Sequence, residues 1–410
     1  MTNKLIVDNF LIFKHIEIDI NRYNVFIGPQ ASGKSLVAKI LYLFYQFPEL
    51  CYFMINQKTA KAMIKKEMVT LFESIFPKET WGHQSFKIAL QTEKGLLIYR
   101  YTPKDNLVFS ISKYHDTLLS SLKKLYDSEA SKENEIPFSQ FAKTIRSQFH
   151  AADWGLLNRG GSACFIPAGR SYFSSLNKLV FTALKNEVEI DYLVKAFGAH
   201  YERAKKIYSD SSNNKDVQKE LLNGLFFIKD SKEYIHIDNN NKPFDIEVSN
   251  ASSGQQELLP ILLRMFSAPK AFCMIEEPEA HIYPESQYSL IRFIISRRVP
   301  DDPEMAFLFT THSPYVLTTI NNLAYAGILE KRFNAQNNKE SIKKLDKVYP
   351  ARERIPQGSL SAYYFDGGNV ESIIDKETEI INAQKLDDIS ERTNDKFSEL
   401  LELELSENCK

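Results

Sequence analysis

The chain has 410 residues, of which 51 are Lys or Arg and 52 are Asp or Glu, so its formal net charge is −1. This balance excludes a protein that is basic overall and leaves DNA binding to a local basic face, and the length predicts about two to three domains. The four cysteines form no C-x-x-C pair and no apolar run approaches the ~18 residues of a membrane span, so we expect a reducing, cytoplasmic location without a zinc site, a disulfide framework or membrane contact.

The N-terminal segment predicts a strand–loop–helix unit that binds phosphate. Two strands are expected over residues 4–20, and the apolar run Val25-Phe26-Ile27 indicates a third. The third strand leads into Gly28–Ser35, which has the pattern G-x-x-x-x-G-K-S, and a helix follows from Leu36. In such a P-loop the backbone N–H groups and the helix N-terminus point at the phosphates of a nucleotide.

The residue types of this loop predict ATP and Mg²⁺ as the bound groups. Lys34 would reach the β- and γ-phosphates, and the Ser35 hydroxyl would ligate Mg²⁺. The other loop residues that we expect to bind the phosphates are Gly28, Gln30, Ala31, Ser32 and Gly33. A chance glycine turn is the alternative, and the strand–helix setting argues against it.

Periodicity predicts the elements that follow. Helices are expected over 58–76, 114–150 with a polar break, 173–227 with another, 254–267 and 285–297. Strands are expected over 86–90, 96–101, 164–167, 234–237, 244–248, 271–275 and 306–311. We therefore predict an α/β fold, a mixed sheet with a parallel core interrupted by large helical insertions.

Two acids follow the apolar strand Ala271–Ile275. Glu276 and Glu277 would lie at the carboxyl end of a buried parallel strand, where ligands bind in open α/β sheets. In this Walker B arrangement Glu276 holds Mg²⁺, directly or through water, and Glu277 orients and deprotonates the attacking water. An exposed acidic turn is the alternative.

Two further motifs are ambiguous by themselves. The run Ala251–Glu257 reads ASSGQQE before a helix, which fits either a phosphate-binding nest or an ordinary serine cap with a capping-box partner. The strand Ala306–Thr311 ends at His312, which could bind a γ-phosphate or be a structural histidine. Their order and spacing around Glu277 favour a common site.

Taken together, these motifs resemble an ABC-class ATPase of the SMC-like branch, most of all the OLD-type (overcoming lysogenization defect) ATPases. The motifs are GPQASGKS, ASSGQQE in the place of the signature, IEEPEAHIYP in the place of Walker B and the D-loop, and THSPYVL as the switch-histidine loop. FIPAGR, residues 165–170, stands where the family has the strand before the Q-loop; it has no Gln, so the resemblance implies only Arg170 as a nucleotide contact.

The resemblance implies a P-loop NTPase of ABC/SMC-head type and a division of the chain. The ATPase core would comprise 1–45, 160–172 and 245–330; 46–159 and 173–244 would be insertions, mainly helical with hairpins, and 331–410 a C-terminal helical extension. Ser252, Gly254 and Gln255 of one subunit would complete the P-loop site of another, so that ATP joins a head-to-tail homodimer or a higher homo-oligomer.

The resemblance also implies a Mg²⁺-dependent ATPase that controls a separately encoded effector, a nuclease or toxin, in bacterial anti-phage defence. Residues 331–410 lack the acidic pattern of a TOPRIM nuclease, so no nuclease is expected in this chain. Two alternatives stay open: a DNA-repair or DNA-maintenance ATPase that binds DNA, with Lys58, Lys61, Lys65 and Lys66 as the candidate basic face, and an ATP-dependent scaffold with little turnover.

Overall fold

The computed structural model describes residues 3–132, 137–156, 162–173, 190–208, 212–238, 242–267, 271–297 and 305–382. Its strands are β1 (Asn3–Phe10), β2 (Phe13–Ile20), β3 (Tyr23–Ile27), β4 (Phe86–Thr92), β5 (Gly95–Tyr101), β6 (Val108–Ile111), β7 (Ser162–Ile166), β8 (Leu225–Lys229), β9 (Lys232–Ile237), β10 (Phe244–Glu247), β11 (Ala271–Glu276), β12 (Ala306–Thr311), β13 (Leu360–Asp366) and β14 (Asn369–Ser372).

The helices are α1 (Lys34–Tyr45), α2 (Phe47–Met54), α3 (Ala60–Ile75), α4 (Lys78–Trp81), α5 (Lys113–Ala130), α6 (Phe138–Ala151), α7 (Tyr192–Ile207), α8 (Ser212–Leu222), α9 (Ser253–Phe266), α10 (Pro284–Ser296), α11 (Pro314–Ala335) and α12 (Lys339–Val348). Short 3-10 helices lie at Val248–Asn250 and Ala351–Glu353. In the part of the chain that is described, no helix combines the length and the apolar character that crossing a membrane requires.

A six-stranded sheet in the order β14-β13-β3-β12-β11-β7 forms the centre of the molecule. All of its neighbouring pairs are parallel except β13–β14. The predicted α/β fold with a parallel core is therefore confirmed. Each of β3, β11 and β12 is buried along its whole length, as expected for continuous apolar strands that are covered on both faces.

Alternate residues of the central strands pack into two hydrophobic clusters. Phe26 joins a cluster with α1, α3 and the antiparallel sheet β2-β1-β4-β5-β6, whereas Val25 and Ile27 join one with α9, α10 and α11. This alternation is the period of two that a strand imposes on its side chains. Because the strands run parallel, their carboxyl ends lie at one edge of the sheet, between the two packed layers.

The C-terminal part of the chain differs from the predicted helical extension. Strand β13 pairs in parallel with β3, with Ala362 opposite Val25, and so completes the central sheet. The prediction is therefore wrong for 360–372, because the open edge of β3 takes up this segment and thereby satisfies its backbone hydrogen bonds. Residues 383–410, which were also predicted to be helical, lie outside the described residues.

Two other segments also differ from the sequence prediction. The helix expected to reach residue 227 ends at Leu222, because Asn223 has a φ of 50° and Gly224 follows it, and β8 begins at Leu225. Residues 174–189 of the same prediction lie outside the described residues. In addition, β1 pairs with β4, so 46–159, predicted as an insertion, completes a sheet that begins in 1–45.

Candidate nucleotide-binding site

The P-loop connects β3 to α1 at the carboxyl edge of the central sheet. Helix α1 begins at Lys34, its N-cap is Gly33 with a φ of 100°, and no acidic side chain lies in its first turn. No carboxylate in that turn therefore neutralises the positive end of the helix dipole. Of the residues that the sequence assigned to phosphate and Mg²⁺, Gln30, Ala31 and Ser35 are exposed beside it.

Gly33 keeps the P-loop close to the N-terminal hairpin. A Cβ atom on Gly33 would lie 2.4 Å from Phe13 Cζ and 2.8 Å from Ile12 Cδ1, and its φ of 100° is one that L-residues rarely adopt. Ser32, by contrast, is buried, so only part of the loop faces outward. The hairpin β1–β2 therefore forms one wall of the candidate site.

Lys34 folds back over the P-loop. Its Nζ atom donates to the carbonyl oxygens of Gly28, at 2.8 Å, and Pro29, at 2.7 Å, and approaches Ser32 Oγ at 3.4 Å. Burial lowers the pKa of Lys34 to about 8, while the negative charges of Glu277 and Glu279 oppose that shift. A cation held by loop carbonyls can exchange them for phosphate oxygens, which are stronger partners.

The acidic pair follows β11, as the sequence predicted, and Glu276 is buried. Its Oε2 atom accepts a hydrogen bond from the Ala168 N–H at 3.3 Å. Its Oε1 atom is also buried and has no hydrogen-bond partner among the described residues. A buried carboxylate oxygen without a partner is costly unless a cation or water satisfies it, so the arrangement fits Mg²⁺, which takes carboxylate oxygens and retains several waters.

Glu277 and His312 meet at the ends of adjacent parallel strands. Glu277 Oε1 lies 3.6 Å from His312 Nε2, and both side chains are partly exposed. The Glu277 backbone has a φ of 42° and its N–H donates to Thr310 O at 2.8 Å, which fixes the turn after β11 to β12. A carboxylate and an imidazole are therefore held together near the P-loop lysine.

Glu279 is a functional candidate that the sequence analysis missed. Its Oε1 atom accepts hydrogen bonds at 2.7 Å from both Thr311 Oγ1 and the His312 N–H. Ser313 continues the network, because its N–H donates to Thr311 Oγ1 and its hydroxyl donates to Gln287 Oε1 at 2.6 Å. The third acid of IEEPEAH was the available signal, yet its partners lie more than thirty residues further along the chain.

The signature-like segment caps α9. Ser252 is exposed, its Oγ accepts from the Gln255 N–H at 3.3 Å, and Gln255 completes a capping box. Gln255 Nε2 also donates to Leu222 O at 2.7 Å. A Cβ atom on Gly254 would lie 2.8 Å from His281 O, so this helix end packs against the turn that follows Glu277. The capping role is present, and a role in trans stays a prediction.

Arg170 is buried beneath the acidic turn. Its guanidinium donates to the backbone carbonyls of Pro167, Glu276 and Glu277 at 2.9, 2.7 and 3.0 Å. The side chain has no exposed surface, whereas a nucleotide contact requires an accessible group. The resemblance implied that Arg170 contacts the nucleotide. In this structure its guanidinium instead supports the acidic turn.

Comparison with protein-family models identifies the ATPase domain. Residues 23–318 match the model described as "AAA domain, putative AbiEii toxin, Type IV TA system". The chain belongs to this AAA domain family. The matched range begins at β3 and ends within α11, so it includes every motif of the candidate site in the AAA domain. The prediction of a P-loop ATPase is thus confirmed at the level of the domain, and the OLD-type assignment stays a prediction.

The solved structures that the chain matches include three SMC heads. A head bound to the C-winged helix domain of ScpA has 11% identity and a TM-score of 0.41, with coverage of 91% of this chain and 97% of that one. A Pyrococcus furiosus head with an extended coiled coil, bound to the C-terminal domain of ScpA, has 11% identity, coverage of 96% and 99%, and a TM-score of 0.39. The Thermotoga maritima head has 13% identity and a TM-score of 0.36, with coverage of 78% of this chain and 91% of that one. No curated protein matched the AAA-domain chain.

Proposed function

We propose that this AAA domain hydrolyses ATP with Mg²⁺, and that ATP-dependent head-to-tail dimerisation switches a separately encoded effector in anti-phage defence. The observation that carries the enzymatic part is the 3.6 Å separation between Glu277 Oε1 and His312 Nε2. Lys34 interacts electrostatically with Glu277 and Glu279. A carboxylate, an imidazole and the P-loop lysine therefore lie close together, which supports their roles as proton acceptor, γ-phosphate contact and phosphate ligand.

The chemistry follows from these groups. Glu277 would take a proton from a water molecule whose oxygen attacks the γ-phosphorus, and the bond from that phosphorus to the bridging oxygen would break to release ADP. Lys34 would offset charge on the β- and γ-phosphates, and His312 would hydrogen-bond a γ-phosphate oxygen. Mg²⁺ held by Ser35 and Glu276 would supply further positive charge to the phosphates.

The dimer part of the proposal is supported by the exposed N-terminus of α9. Ser252 is exposed there, and Gly254 is closely packed against His281 O. A helix N-terminus with a small hydroxyl residue can accept an anion from outside the chain. One P-loop and one such segment per chain would give two shared sites in a head-to-tail pair.

The effector part rests on the family and on the sequence resemblance. The family description names a toxin and a type IV toxin–antitoxin system, which supports a role in defence. The OLD-type resemblance implies a partner protein, and the location that we propose is the cytoplasm. The DNA-binding alternative has less support, because Lys61 of its candidate face is ion-paired with Asp116 at 2.7 Å.

The deciding experiment compares ATP turnover and nucleotide affinity in matched variants. Glu277→Gln preserves shape and removes the base, so it should retain ATP, lose at least about 100-fold in turnover and accumulate as an ATP-bound dimer. Glu285→Gln is the control, the same change at an exposed position in the first turn of α10. Wild-type turnover in Glu277→Gln would reject the assignment, and ATP-dependent association without any turnover would favour the scaffold.

A further inference from the structure

The buried pair of Arg170 and Glu257 connects three motifs of the candidate site. These are the segment FIPAGR, the signature-like segment that caps α9 and the acidic pair after β11. Arg170 Nε and Glu257 Oε2 are 3.3 Å apart, and the two side chains are 0% and 1% exposed. Burial lowers the pKa of the Arg170 guanidinium, and the neighbouring carboxylates, Glu257 first, oppose that shift. A buried ion pair is weak evidence for stability by itself, because desolvation offsets its attraction. The contacts of the pair on either side indicate another role.

One side of Arg170 holds the acidic turn at Glu276 and Glu277, which is called the catalytic turn below. Its Nη1 donates to Glu276 O at 2.7 Å and its Nη2 donates to Glu277 O at 3.0 Å. Glu277 has a φ of 42°, a backbone conformation that non-glycine residues persist in only when their surroundings enforce it. The planar guanidinium binds consecutive carbonyls with fixed geometry, which a lysine ammonium cannot reproduce. It therefore restrains the direction in which the Glu277 carboxylate leaves the chain.

The other side of the pair belongs to helix α9. Glu257 lies in its first two turns, and its carboxylate accepts from the Arg170 N–H and the Ser171 N–H, both at 3.0 Å. The Glu257 carbonyl accepts from Arg170 Nε at 3.1 Å. The segment Arg170–Ser171 is thus bound to the helix that Ser252 caps, five residues before Glu257. A displacement of α9 must move Arg170 or break these bonds.

We propose that Arg170 is a positioning residue for Glu277 and that, through Glu257, it links the N-terminus of α9 to the catalytic turn of the same subunit. This inference rests on the proposed function. If a partner's nucleotide binds at Ser252, the resulting shift of α9 reaches Glu277 through two side chains. Hydrolysis in one shared site would then respond to occupancy of the other.

A merely structural role would give a different pattern from a positioning role. Arg264 provides the matched control, since it is 2% exposed, lies on the same helix α9 and donates to Cys164 Sγ at 3.0 Å rather than to the catalytic turn. Arg170→Lys and Arg264→Lys each replace a buried guanidinium by an ammonium. Loss of folding stability should occur in both variants, whereas loss of turnover should be confined to Arg170→Lys.

The experiment measures kcat, ATP dissociation constant, melting temperature and backbone hydrogen exchange for Arg170→Lys, Glu257→Gln, the double variant and Arg264→Lys. We expect Arg170→Lys to lower kcat by at least about tenfold with the ATP dissociation constant within about threefold of wild type. Glu257→Gln should also lower kcat, and the double variant should be no slower than the slower single variant, because the residues act as one unit. Glu257→Gln alone suffices for the test if Arg170→Lys does not fold.

Hydrogen exchange separates this inference from the proposed function. Without nucleotide, Arg170→Lys or Glu257→Gln should speed exchange of the Glu277 amide, which donates to Thr310 O, and Arg264→Lys should not. Absence of turnover in the wild-type protein would reject the proposed function, and the exchange result would still decide the link. Unchanged exchange, or kcat within twofold of wild type in an active protein, overturns the inference.

Discussion

A Cβ atom on Gly28 would lie 2.1 Å from the carbonyl oxygen of Phe365. The first glycine of the P-loop therefore packs directly against the backbone of β13, a strand from the far end of the chain. Its φ is 149°, in a region that is essentially restricted to glycine. The phosphate-binding loop thus depends on a segment more than 300 residues away in sequence.

We expect Gly28→Ala to destabilise the fold and to weaken ATP binding. Overpacking against a backbone carbonyl and an unfavourable φ together should lower the free energy of unfolding by about 3 kcal/mol. Gly358→Ala is the control, because Gly358 has a φ of +76° but a Cβ there would meet nothing within 4 Å. That variant should lose only about 1 kcal/mol. Urea unfolding and nucleotide affinity would measure the difference, and equal losses in the two variants would contradict the contact.

The pKa of Lys34 predicts a pH dependence of ATP affinity. Phosphate favours the charged amine, so binding should raise this pKa from about 8 and take up a proton. Affinity should then fall by about tenfold between about pH 7.5 and pH 9. Calorimetry at pH 8 in buffers of different ionisation enthalpy would detect the proton. Lys34→Ala should abolish binding, and Lys34→Arg, if it binds, should show no proton uptake.

The same lowered pKa has a consequence for stability with the opposite sign. Between about pH 8 and the ordinary lysine value of 10.5, the unfolded chain binds the proton that folded Lys34 has lost. The free energy of unfolding should therefore rise across this window through Lys34, while it is lowest through this group below pH 8. Urea titrations at several pH values would give the free energy of unfolding of wild type and Lys34→Met. Its slope against pH should be steeper in wild type across this window, and identical slopes would contradict the shift.

The contact between Thr311 and Glu279 should fix the position of His312, whose N–H donates to the same Glu279 oxygen. Thr311→Val removes the hydroxyl that donates to Glu279 Oε1 at 2.7 Å and leaves a partly buried acceptor less satisfied. We expect turnover to fall by about tenfold, with stability lowered by about 1–3 kcal/mol. Thr311→Ser keeps the hydroxyl and loses only a methyl group, so it should retain most of the turnover. Equal turnover in the two variants would remove this hydrogen bond from the mechanism.

The sequence predicted the parts of the site that are local in the chain. The P-loop, the acids after β11 and the histidine after β12 are each specified by a few consecutive residues at the end of an apolar strand. Contacts between distant residues were not accessible in this way. Arg170 and Glu257 are 87 residues apart, and β13 was missed because Leu360–Asp366 is identifiable as a core strand only once β3 offers an unpaired edge.

Ser252 provides the sharpest test of the shared site, because its capping role can be separated from a role in trans. Asp caps a helix as well as Ser does, so Ser252→Asp should keep the capping interaction and the stability of α9, whereas Ser252→Ala should lose about 1 kcal/mol. A carboxylate facing the partner's γ-phosphate would nevertheless repel it. We therefore expect Ser252→Asp, and the bulky Ser252→Arg, to bind ATP within about threefold of wild type but to lose ATP-dependent association and turnover.

Mixing variants decides whether this loss arises between subunits. In a head-to-tail pair of Lys34→Ala and Ser252→Asp chains, both lesions fall on one site and the other site is intact. Turnover should therefore recover in part on mixing, with light scattering reporting the dimer, provided that one intact site can act alone. If Ser252→Asp and Ser252→Arg are both fully active and still associate with ATP, then Ser252 is only the cap that its hydrogen bond to Gln255 describes, and the shared site is wrong.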